Sequence, residues 1–211
     1  IYGRLAKANL QNGACNGSWY DAVIPHYFDP SEFEYRKNKE DYYLYIGRII
    51  PRKGVHIAAQ VCERIGAKLV VAGQIPGDTK EGLRNLGLDK PYVEYVGVVN
   101  HKERSELMSK AKAFFAPTIY LEPFGMTVIE ALMCGTPVIS TDWGAFTETV
   151  AHGKVGYRCR TMDQFVWAAK NIDKIKPADC RKYAEDNYSM DRLSKVYQEY
   201  YFGLQDLFGK G

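Results

Sequence analysis

The sequence contains neither clustered cysteines nor paired metal ligands. Its five cysteines are scattered along the chain, with no C-x-x-C pair and no cysteine–histidine cluster. An odd and dispersed set indicates reduced thiols in an intracellular protein rather than a disulfide framework. The four histidines are far apart in the chain, and no Asp-x-Asp pair is present to hold a divalent ion. We therefore expect a cytoplasmic protein without a metal site.

Long hydrophobic runs and blocks of like charge are also absent. No apolar stretch reaches the roughly 20 residues that a membrane-spanning helix requires. The net charge of +3 is mild and no lysine–arginine block is present, which argues against a protein that coats nucleic acid. With 46% hydrophobic residues, the 211-residue chain can bury the core of one domain. The chain begins at Ile1 rather than at methionine, and we expect a preceding portion to be absent.

The sequence does have a regular alternation of short apolar segments and helical segments. The predicted strands lie within residues 42–47, 68–73, 93–99, 113–117 and 136–141, and the predicted helices within 55–65 and around 102–111. Buried strands that alternate with helices predict an α/β fold, a Rossmann-like parallel sheet with helices on both faces. In such sheets, ligands bind at the carboxyl ends of the strands.

A further helix, amphipathic in character, is predicted at the C-terminus from Ser189 to Phe208. Ser189 is a suitable N-cap, and Asp191 suits the positive end of the helix dipole. One face carries an apolar and aromatic stripe formed by Leu193, Val196, Tyr197, Tyr200, Tyr201 and Leu204. Two interpretations stay open: the helix packs on its own domain, or its aromatic face docks against a partner domain.

Two glutamates eight positions apart flank a glycine turn in the segment LEPFGMTVIE. If a helix begins at the turn, the N–H groups of Gly125, Met126 and Thr127 form a site for phosphate together with the helix dipole. Glu130 lies about one turn further in and could accept hydrogen bonds from vicinal hydroxyls, while Glu122 suits a second hydroxylated group. Taken alone, each glutamate is better explained as a helix-stabilising or solvated residue. Together they predict a ligand of the form sugar–phosphate–ribose.

A second group of candidate residues lies in the segment GRIIPRKG, residues 47–54. Arg48 and Lys53 lie on a glycine-bounded loop after a predicted strand, and two cations there could neutralise a diphosphate. The spacing differs from a Walker loop, because Gly54 follows the lysine where serine or threonine is required. In isolation, the segment would be interpreted as a solvated basic loop.

The order of these features resembles the C-terminal half of the retaining glycosyltransferases of carbohydrate-active family four. The matching segments begin near Asp21 and include YIGRIIPRKGVHIA, KLVVAGQ, VEYVGVV, EPFGMTVIEALMCGTPVIS and GAFTETVAHGKVGY. The strongest part is the family's Glu-x7-Glu motif, at Glu122 and Glu130. The resemblance implies one half of a GT-B enzyme, in which two Rossmann-like domains face each other across a cleft. Residues 21–211 would be its nucleotide-sugar-binding domain, and residues 1–20 a linker or a remnant of the N-terminal domain.

The resemblance also implies a role for each matching position. Arg48 and Lys53 would contact the donor diphosphate and steady the leaving group, and Glu122 would contact a donor-sugar hydroxyl near the reaction centre. Glu130 would bind the nucleotide ribose. Backbone groups would supply the remaining contacts, those of Phe124, Gly125, Met126 and Thr127 to the sugar and the distal phosphate, and those of Gly97, Val98 and Val99 to the base.

The implied function is metal-independent transfer of a glycosyl group from a nucleotide-diphosphate sugar to an acceptor, with retention of anomeric configuration. No cofactor is expected besides this donor substrate. The acceptor site belongs to the N-terminal domain in this family, so we expect the isolated chain to transfer sugar weakly or not at all. Any contact with a membrane would run through the missing half.

Two alternatives to a glycosyltransferase stay open at the level of the sequence. One is a nucleotide-sugar epimerase of the GT-B fold, and the other is a non-catalytic nucleotide- or sugar-binding module. A Rossmann-type dehydrogenase is disfavoured, because no G-x-G-x-x-G segment follows the first predicted strand.

Overall fold

The structure is a computed structural model that describes residues 23–77 and 79–208, with side chains described as far as residue 205. The described residues divide into two compact units, one within Asp29–Asp186 and the other formed by residues 23–28 and 187–208. The segment 1–20, interpreted above as a linker or remnant, lies outside the described residues. The predicted domain boundary at residues 20 and 21 therefore stays a prediction.

The larger unit contains a six-stranded sheet with the order β3-β2-β1-β4-β5-β6, in which every neighbouring pair is parallel. The strands are β1 (Tyr43–Ile46), β2 (Leu69–Ala72), β3 (Val93–Gly97), β4 (Ala113–Ala116), β5 (Val138–Thr141) and β6 (Gly156–Cys159). The first five fall within the predicted segments. The edge strand β6 was not predicted, since its sequence GYRC carries an arginine and begins with glycine.

Eight α-helices occur among the described residues. They are α1 (Val55–Ile65), α2 (Thr79–Asn85), α3 (His101–Lys110), α4 (Met126–Met133), α5 (Phe146–Thr149), α6 (Met162–Lys170), α7 (Pro177–Tyr188) and α8 (Met190–Phe208). Short 3-10 turns occupy Pro30–Glu32, Pro51–Lys53 and Ile172–Lys174. Helix α1 has the predicted bounds and ends at Gly66, whose φ of 67° is the left-handed conformation common at helix C-termini.

The sheet is covered on both faces, as predicted for a doubly wound α/β fold. Every residue of β1, β2, β4 and β5 is buried, which requires packing on both sides of the sheet. Helices α1 and α6 contact each other and the strands on their side, and α3 and α4 form a second contacting pair. The predicted fold class is confirmed.

The strand order places β1 and β4 side by side in the middle of the sheet. The chain runs outward from β1 through β2 to β3 and then returns to β4 on the other side of β1. In open α/β sheets, this reversal opens a crevice at the carboxyl ends of the two central strands, where ligands bind. The fold therefore fixes the place at which a site is expected.

The smaller unit is described over residues 23–28 and 187–208. Its helix α8 begins after Ser189, and the N–H of Arg192 donates to the Ser189 hydroxyl oxygen at 3.2 Å. The predicted helix and its N-cap are confirmed. Phe28 donates its N–H to the Tyr188 carbonyl oxygen at 2.9 Å and accepts from the Met190 N–H at 2.9 Å. Among the residues that the structure describes, no helix is both long enough and apolar enough to cross a membrane.

Candidate functional site

A cavity of about 200 Å³ lies at the carboxyl ends of β1 and β4. Its wall includes five of the residues predicted for the site, namely Arg48, Lys53, Glu122, Gly125 and Thr127. The two cations follow β1, the glutamate follows β4, and the last two residues lie at the start of α4. The fold thus brings the loop after β1 and the loop after β4 together at the reversal point of the sheet, which is the place between β1 and β4 where the strand order changes direction.

A glycine and a backbone hydrogen bond hold the loops after β1 and β4 together. Gly54 has a φ of +74°, and a Cβ at this position would lie 1.9 Å from the carbonyl oxygen of Pro117. Only glycine fits there. The N–H of Ile119 donates to the carbonyl oxygen of Arg52 at 3.0 Å. These contacts bring the lysine that precedes Gly54 to the loop that carries the first glutamate.

Lys53 and Glu122, which line the cavity, form a closed hydrogen-bonded triangle with Tyr120. The Lys53 ammonium donates to Glu122 Oε2 at 2.8 Å and to the Tyr120 hydroxyl oxygen at 2.6 Å. The Tyr120 hydroxyl in turn donates to Glu122 Oε2 at 2.6 Å. The ammonium also lies 4.8 Å from the centre of the Tyr120 ring, within the range of a cation–π contact. Each polar group of the triangle is therefore positioned by the other two.

The triangle keeps Lys53 charged although its side chain is only 21% exposed. Burial lowers the pKa of Lys53, but the hydrogen bonds to Glu122 and Tyr120 and the charge of Glu122 outweigh it, so that the pKa is raised. Charge-assisted hydrogen bonds of this kind are stronger than neutral ones. The cavity therefore contains a fixed cation at neutral pH.

Arg48 places a second cation on the same wall. Its side chain is exposed, so the forked donors of the guanidinium are accessible to an anion. The Tyr45 hydroxyl donates to the Arg48 carbonyl oxygen at 2.9 Å and fixes the backbone of the loop. Burial raises the pKa of Tyr45, with a smaller contribution from the nearby Tyr120 and Glu122, so this hydroxyl remains a donor.

Helix α4 begins at the glycine turn, as the sequence predicts. Gly125 has a φ of +81°, and a Cβ at this position would lie 2.6 Å from Cε1 of Phe146. Met126 and Thr127 are the first helical residues, and N–H groups in a first turn have no acceptor within the helix. The start of α4 therefore directs backbone donors and a positive dipole end towards the cavity. Phe124 and Met126 themselves do not line the cavity.

Glu130 is buried within α4, with 4% of its surface exposed. Its Oε2 lies 3.0 Å from Nε of Arg104, a residue of α3. The contact is an ion pair without hydrogen-bond alignment, because Oε2 has no hydrogen-bond partner among the described residues. Burial raises the pKa of Glu130, and the charges of Arg104 and His101 oppose this rise. The predicted ribose-binding carboxylate is thus buried beside a cation, and it is not among the residues that line the cavity.

The segment predicted to meet the base lies two strands away from the cavity. Gly97 is the last residue of β3, and β2 separates β3 from β1. The N–H of Gly73, which follows β2, donates to the Gly97 carbonyl oxygen at 2.8 Å. Val98, which is 72% exposed, and Val99 follow at the same edge of the sheet. These three residues share the edge with the cavity but do not line it.

Tyr120 and Arg104 were not selected from the sequence. Tyr120 lies two positions before Glu122, and a hydroxyl-bearing ring in that loop is a signal that could have identified it. Arg104 carries no such signal, because it is separated from Glu130 by a strand and a long loop and meets it only through the packing of α3 on α4.

The donors at the cavity suit an anion rather than a metal ion. They comprise the Arg48 and Lys53 side chains and the backbone at the start of α4. In the part of the chain that the structure describes, no cluster of three or more His, Cys, Asp or Glu side chains could hold a metal ion.

Comparison with known families identifies the class of the chain. The model of the family of glycosyl transferases group 1 matches residues 29–187, which is more than half of the sequence. The chain belongs to this family. The resemblance to a family of glycosyltransferases, drawn from the sequence, is therefore confirmed at the level of the family.

Individual relatives carry names from the same class. An uncharacterized glycosyltransferase of Methanocaldococcus jannaschii is 27% identical over 200 residues, covering 86% of this chain and 49% of the relative. A glycogen synthase of Mycobacterium tuberculosis is 32% identical over 128 residues, covering 57% of this chain and 30% of the relative. This chain thus spans about half, or less, of the curated relatives that it matches.

Solved structures show the same fold. AviGT4, a glycosyltransferase involved in avilamycin A biosynthesis, superposes with a TM-score of 0.76 at 28% identity, covering 92% of this chain and 61% of that protein. HepE of Anabaena, solved with UDP and glucose, superposes with a TM-score of 0.72 at 18% identity, covering 92% of this chain and 60% of that protein. The described sheet therefore corresponds to one half of a GT-B glycosyltransferase.

Proposed function

We propose that this chain is the donor-binding domain of a glycosyltransferase that uses a nucleotide-diphosphate sugar. The observation that carries the proposal is the convergence of two cations, a carboxylate and a helix N-terminus on one cavity at the reversal point of the sheet. Cations and helix amides together suit a diphosphate. The carboxylate of Glu122 suits a hydroxyl of the sugar beyond it.

Binding of a diphosphate would change the partner of Lys53. Without ligand, the ammonium is neutralised by Glu122 at 2.8 Å. A diphosphate in the cavity offers the lysine several charged oxygens and frees Glu122 to accept a hydrogen bond from a donor-sugar hydroxyl. Because Tyr120 also donates to Glu122, the carboxylate keeps a hydrogen bond after the lysine moves.

We propose that the glycosyl group is transferred without a metal ion and with retention of configuration. Departure of the nucleoside diphosphate leaves negative charge on its terminal phosphate. Arg48, Lys53 and the amides at the start of α4 would stabilise that charge, and donors fixed in advance are the most effective form of such stabilisation. Retention is proposed from the resemblance to the retaining enzymes of family four.

Under the proposal, transfer to an acceptor requires a second domain in addition to this chain. The chain spans about half of its first relative, and the acceptor would bind in the cleft formed with a second domain. We therefore expect the chain alone to bind the donor and to transfer sugar weakly or not at all. Robust transfer by the isolated chain would refute this part of the proposal.

A cytoplasmic location is part of the same proposal. The four cysteines within the described residues are free and buried, which suits a reducing compartment. Contact with a membrane surface, where it occurs, is assigned to the second domain.

Calorimetric titration of the chain with UDP, GDP and ADP, first without metal and then with magnesium, tests the proposal. We expect one nucleotide to bind without metal, and we expect Glu130→Ala to weaken that binding by about tenfold to a hundredfold, the equivalent of losing hydrogen bonds to a charged group. Absence of binding by all three nucleotides contradicts the proposal for this chain. Binding that requires magnesium contradicts its metal-independent part.

A further inference from the structure

Arg104 and Glu130 come from different helices and meet at a buried position. The side chain of Glu130 is 5% exposed and that of Arg104 28%. The first turn of α3, which carries Arg104, is fixed by a capping box between Asn100 and Glu103. The N–H of Arg104 also donates to the Asn100 carbonyl oxygen at 2.9 Å. The arginine is therefore held beside the glutamate by the start of its own helix.

The Glu130 carboxylate retains an unused capacity to accept hydrogen bonds. Its Oε2 is enclosed, yet the described residues supply it with a nearby charge and no hydrogen bond. Burial of such a carboxylate is costly and favours its protonated form, unless a cation and donors compensate for the lost water. Arg104 provides the cation. Two adjacent hydroxyls of a ligand would provide the donors.

We propose that Arg104 is a positioning residue for ribose recognition, which holds the Glu130 carboxylate ionised and oriented to accept hydrogen bonds from the two ribose hydroxyls of the donor nucleotide. The inference rests on the proposed function, because it requires a nucleotide whose ribose lies at Glu130. Arg104 acts through the glutamate and need not contact the nucleotide.

The charges around Glu130 set the pH dependence expected when Arg104 is removed. The titratable and charged groups that act on this carboxyl are Arg104 and His101 on α3 and Cys134 at the end of α4. Without Arg104, burial raises the pKa of Glu130 further, and among the described residues His101 is left to oppose it. The carboxyl is then protonated as the pH falls through the higher pKa, and its capacity to accept both hydroxyls is lost at low pH and restored at high pH.

The test compares the affinities of the chain for a ribonucleoside diphosphate and for its 2′,3′-dideoxy form at several pH values. The nucleotide is the one among UDP, GDP and ADP that binds best. The wild-type chain and Lys102→Met, which removes an exposed positive charge from the same helix, should both prefer the ribose form by about tenfold to a hundredfold. In Arg104→Met this preference should fall below about threefold at the low end of the pH series and recover as the pH rises.

Further variants separate positioning from folding. Arg104→Lys keeps the charge and should retain much of the preference. Arg104→Met combined with Glu130→Gln should show the same preference as Glu130→Gln alone, because the arginine acts only through the glutamate. Thermal unfolding of each variant shows whether it is folded, and the lysine variant provides the comparison if Arg104→Met is not.

The possible results distinguish the inference from the proposal on which it rests. A wild-type chain that binds none of the nucleotides contradicts the proposed function and the inference with it. A chain that binds a nucleotide but keeps the full ribose preference in Arg104→Met at every pH overturns the inference alone. An equal loss of affinity for the ribose and dideoxy forms also overturns it, since it would indicate a general structural role.

Discussion

The ammonium of Lys53 lies 2.8 Å from the carboxylate of Glu122, across 69 positions of sequence. The lysine follows the strand β1, the glutamate follows β4, and the two strands are neighbours only because the chain reverses direction across the sheet. The pair therefore joins the two halves of the sheet at the point where a ligand is expected.

Lys53→Met should weaken nucleotide binding because it removes a contact to the phosphates, and it should leave contacts to the nucleoside unchanged. Loss of one charge-assisted hydrogen bond, worth about 1.5–3 kcal/mol, corresponds to a loss of about tenfold to a hundredfold in affinity for the diphosphate. The corresponding nucleoside, which lacks phosphates, should bind wild type and variant equally. Calorimetry with both ligands measures the difference. Lys68→Met, which removes an exposed lysine paired with Glu94, is the control, and an equal effect from this control would contradict the prediction.

Tyr120→Phe should have a smaller effect on binding than Lys53→Met. The variant loses the hydroxyl that joins Glu122 to Lys53 but keeps the ring beside the ammonium. We expect the free energy of unfolding to fall by about 1–2 kcal/mol, as for other buried hydrogen bonds, and the affinity for the diphosphate to fall by severalfold. Tyr42→Phe removes a hydroxyl that donates to the Leu107 carbonyl oxygen and should change stability alone. Denaturant titration measures the stability of both variants, and calorimetry measures their affinity for the diphosphate. A loss of affinity in Tyr42→Phe as large as that in Tyr120→Phe would contradict the prediction.

Gly125→Ala should destabilise the protein more than Gly66→Ala. Both glycines have positive φ, but a Cβ at Gly66 meets nothing within 4 Å, whereas one at Gly125 would lie 2.6 Å from Phe146. The left-handed conformation alone costs alanine about 1–2 kcal/mol. Gly125→Ala adds a displacement of the Phe146 ring to that cost. Thermal denaturation of the two variants measures the difference. Equal losses of stability would show that the Phe146 ring can move aside without a measurable cost.

Lys39 should make stability depend on pH in the alkaline range. Its ammonium donates to the carbonyl oxygens of Ser109 and Cys134 and to the Thr136 hydroxyl oxygen. Burial lowers its pKa to about 8 from the ordinary 10.5. The unfolded chain then binds more protons than the folded one between these values, so the stability contributed by this group rises with pH across the interval, by at most about 3 kcal/mol.

Comparison of wild type with Lys39→Met isolates this effect from other groups that titrate at alkaline pH. The difference between their free energies of unfolding, measured by denaturant titration from pH 7.5 to 10.5, should shift in favour of the wild type as the pH rises. A constant difference would show that Lys39 keeps an ordinary pKa in the folded protein.

The fold could be predicted because five of its strands are short and apolar, and four of these, β1 to β4, end in glycine or are followed by glycine or proline. The segments around β1, β2 and β4 are buried on both faces, so their sequences read as continuous apolar runs. The edge strand β6 escaped prediction because an edge position tolerates a half-buried arginine, Arg158, within the strand. Helix α1 could be placed to the residue because a glycine ends it in the left-handed conformation.

The candidate site could be predicted only where its residues lie in local motifs. Lys53 and the start of α4 are each marked by an adjacent glycine, Glu122 lies three positions before Gly125, and the structure brings them together as expected. Their partners could not be predicted in the same way. Arg104 reaches Glu130 from a different helix through tertiary packing, and no spacing along the chain encodes that contact.

The most direct test of the account is a crystal structure of the chain with a bound nucleoside diphosphate. Phosphate oxygens should lie within hydrogen-bonding distance of the Lys53 ammonium and of the amides at the start of α4, and the ribose hydroxyls should contact Glu130. A nucleotide bound elsewhere, or a phosphate in the cavity with Lys53 still paired to Glu122 and making no phosphate contact, would contradict it.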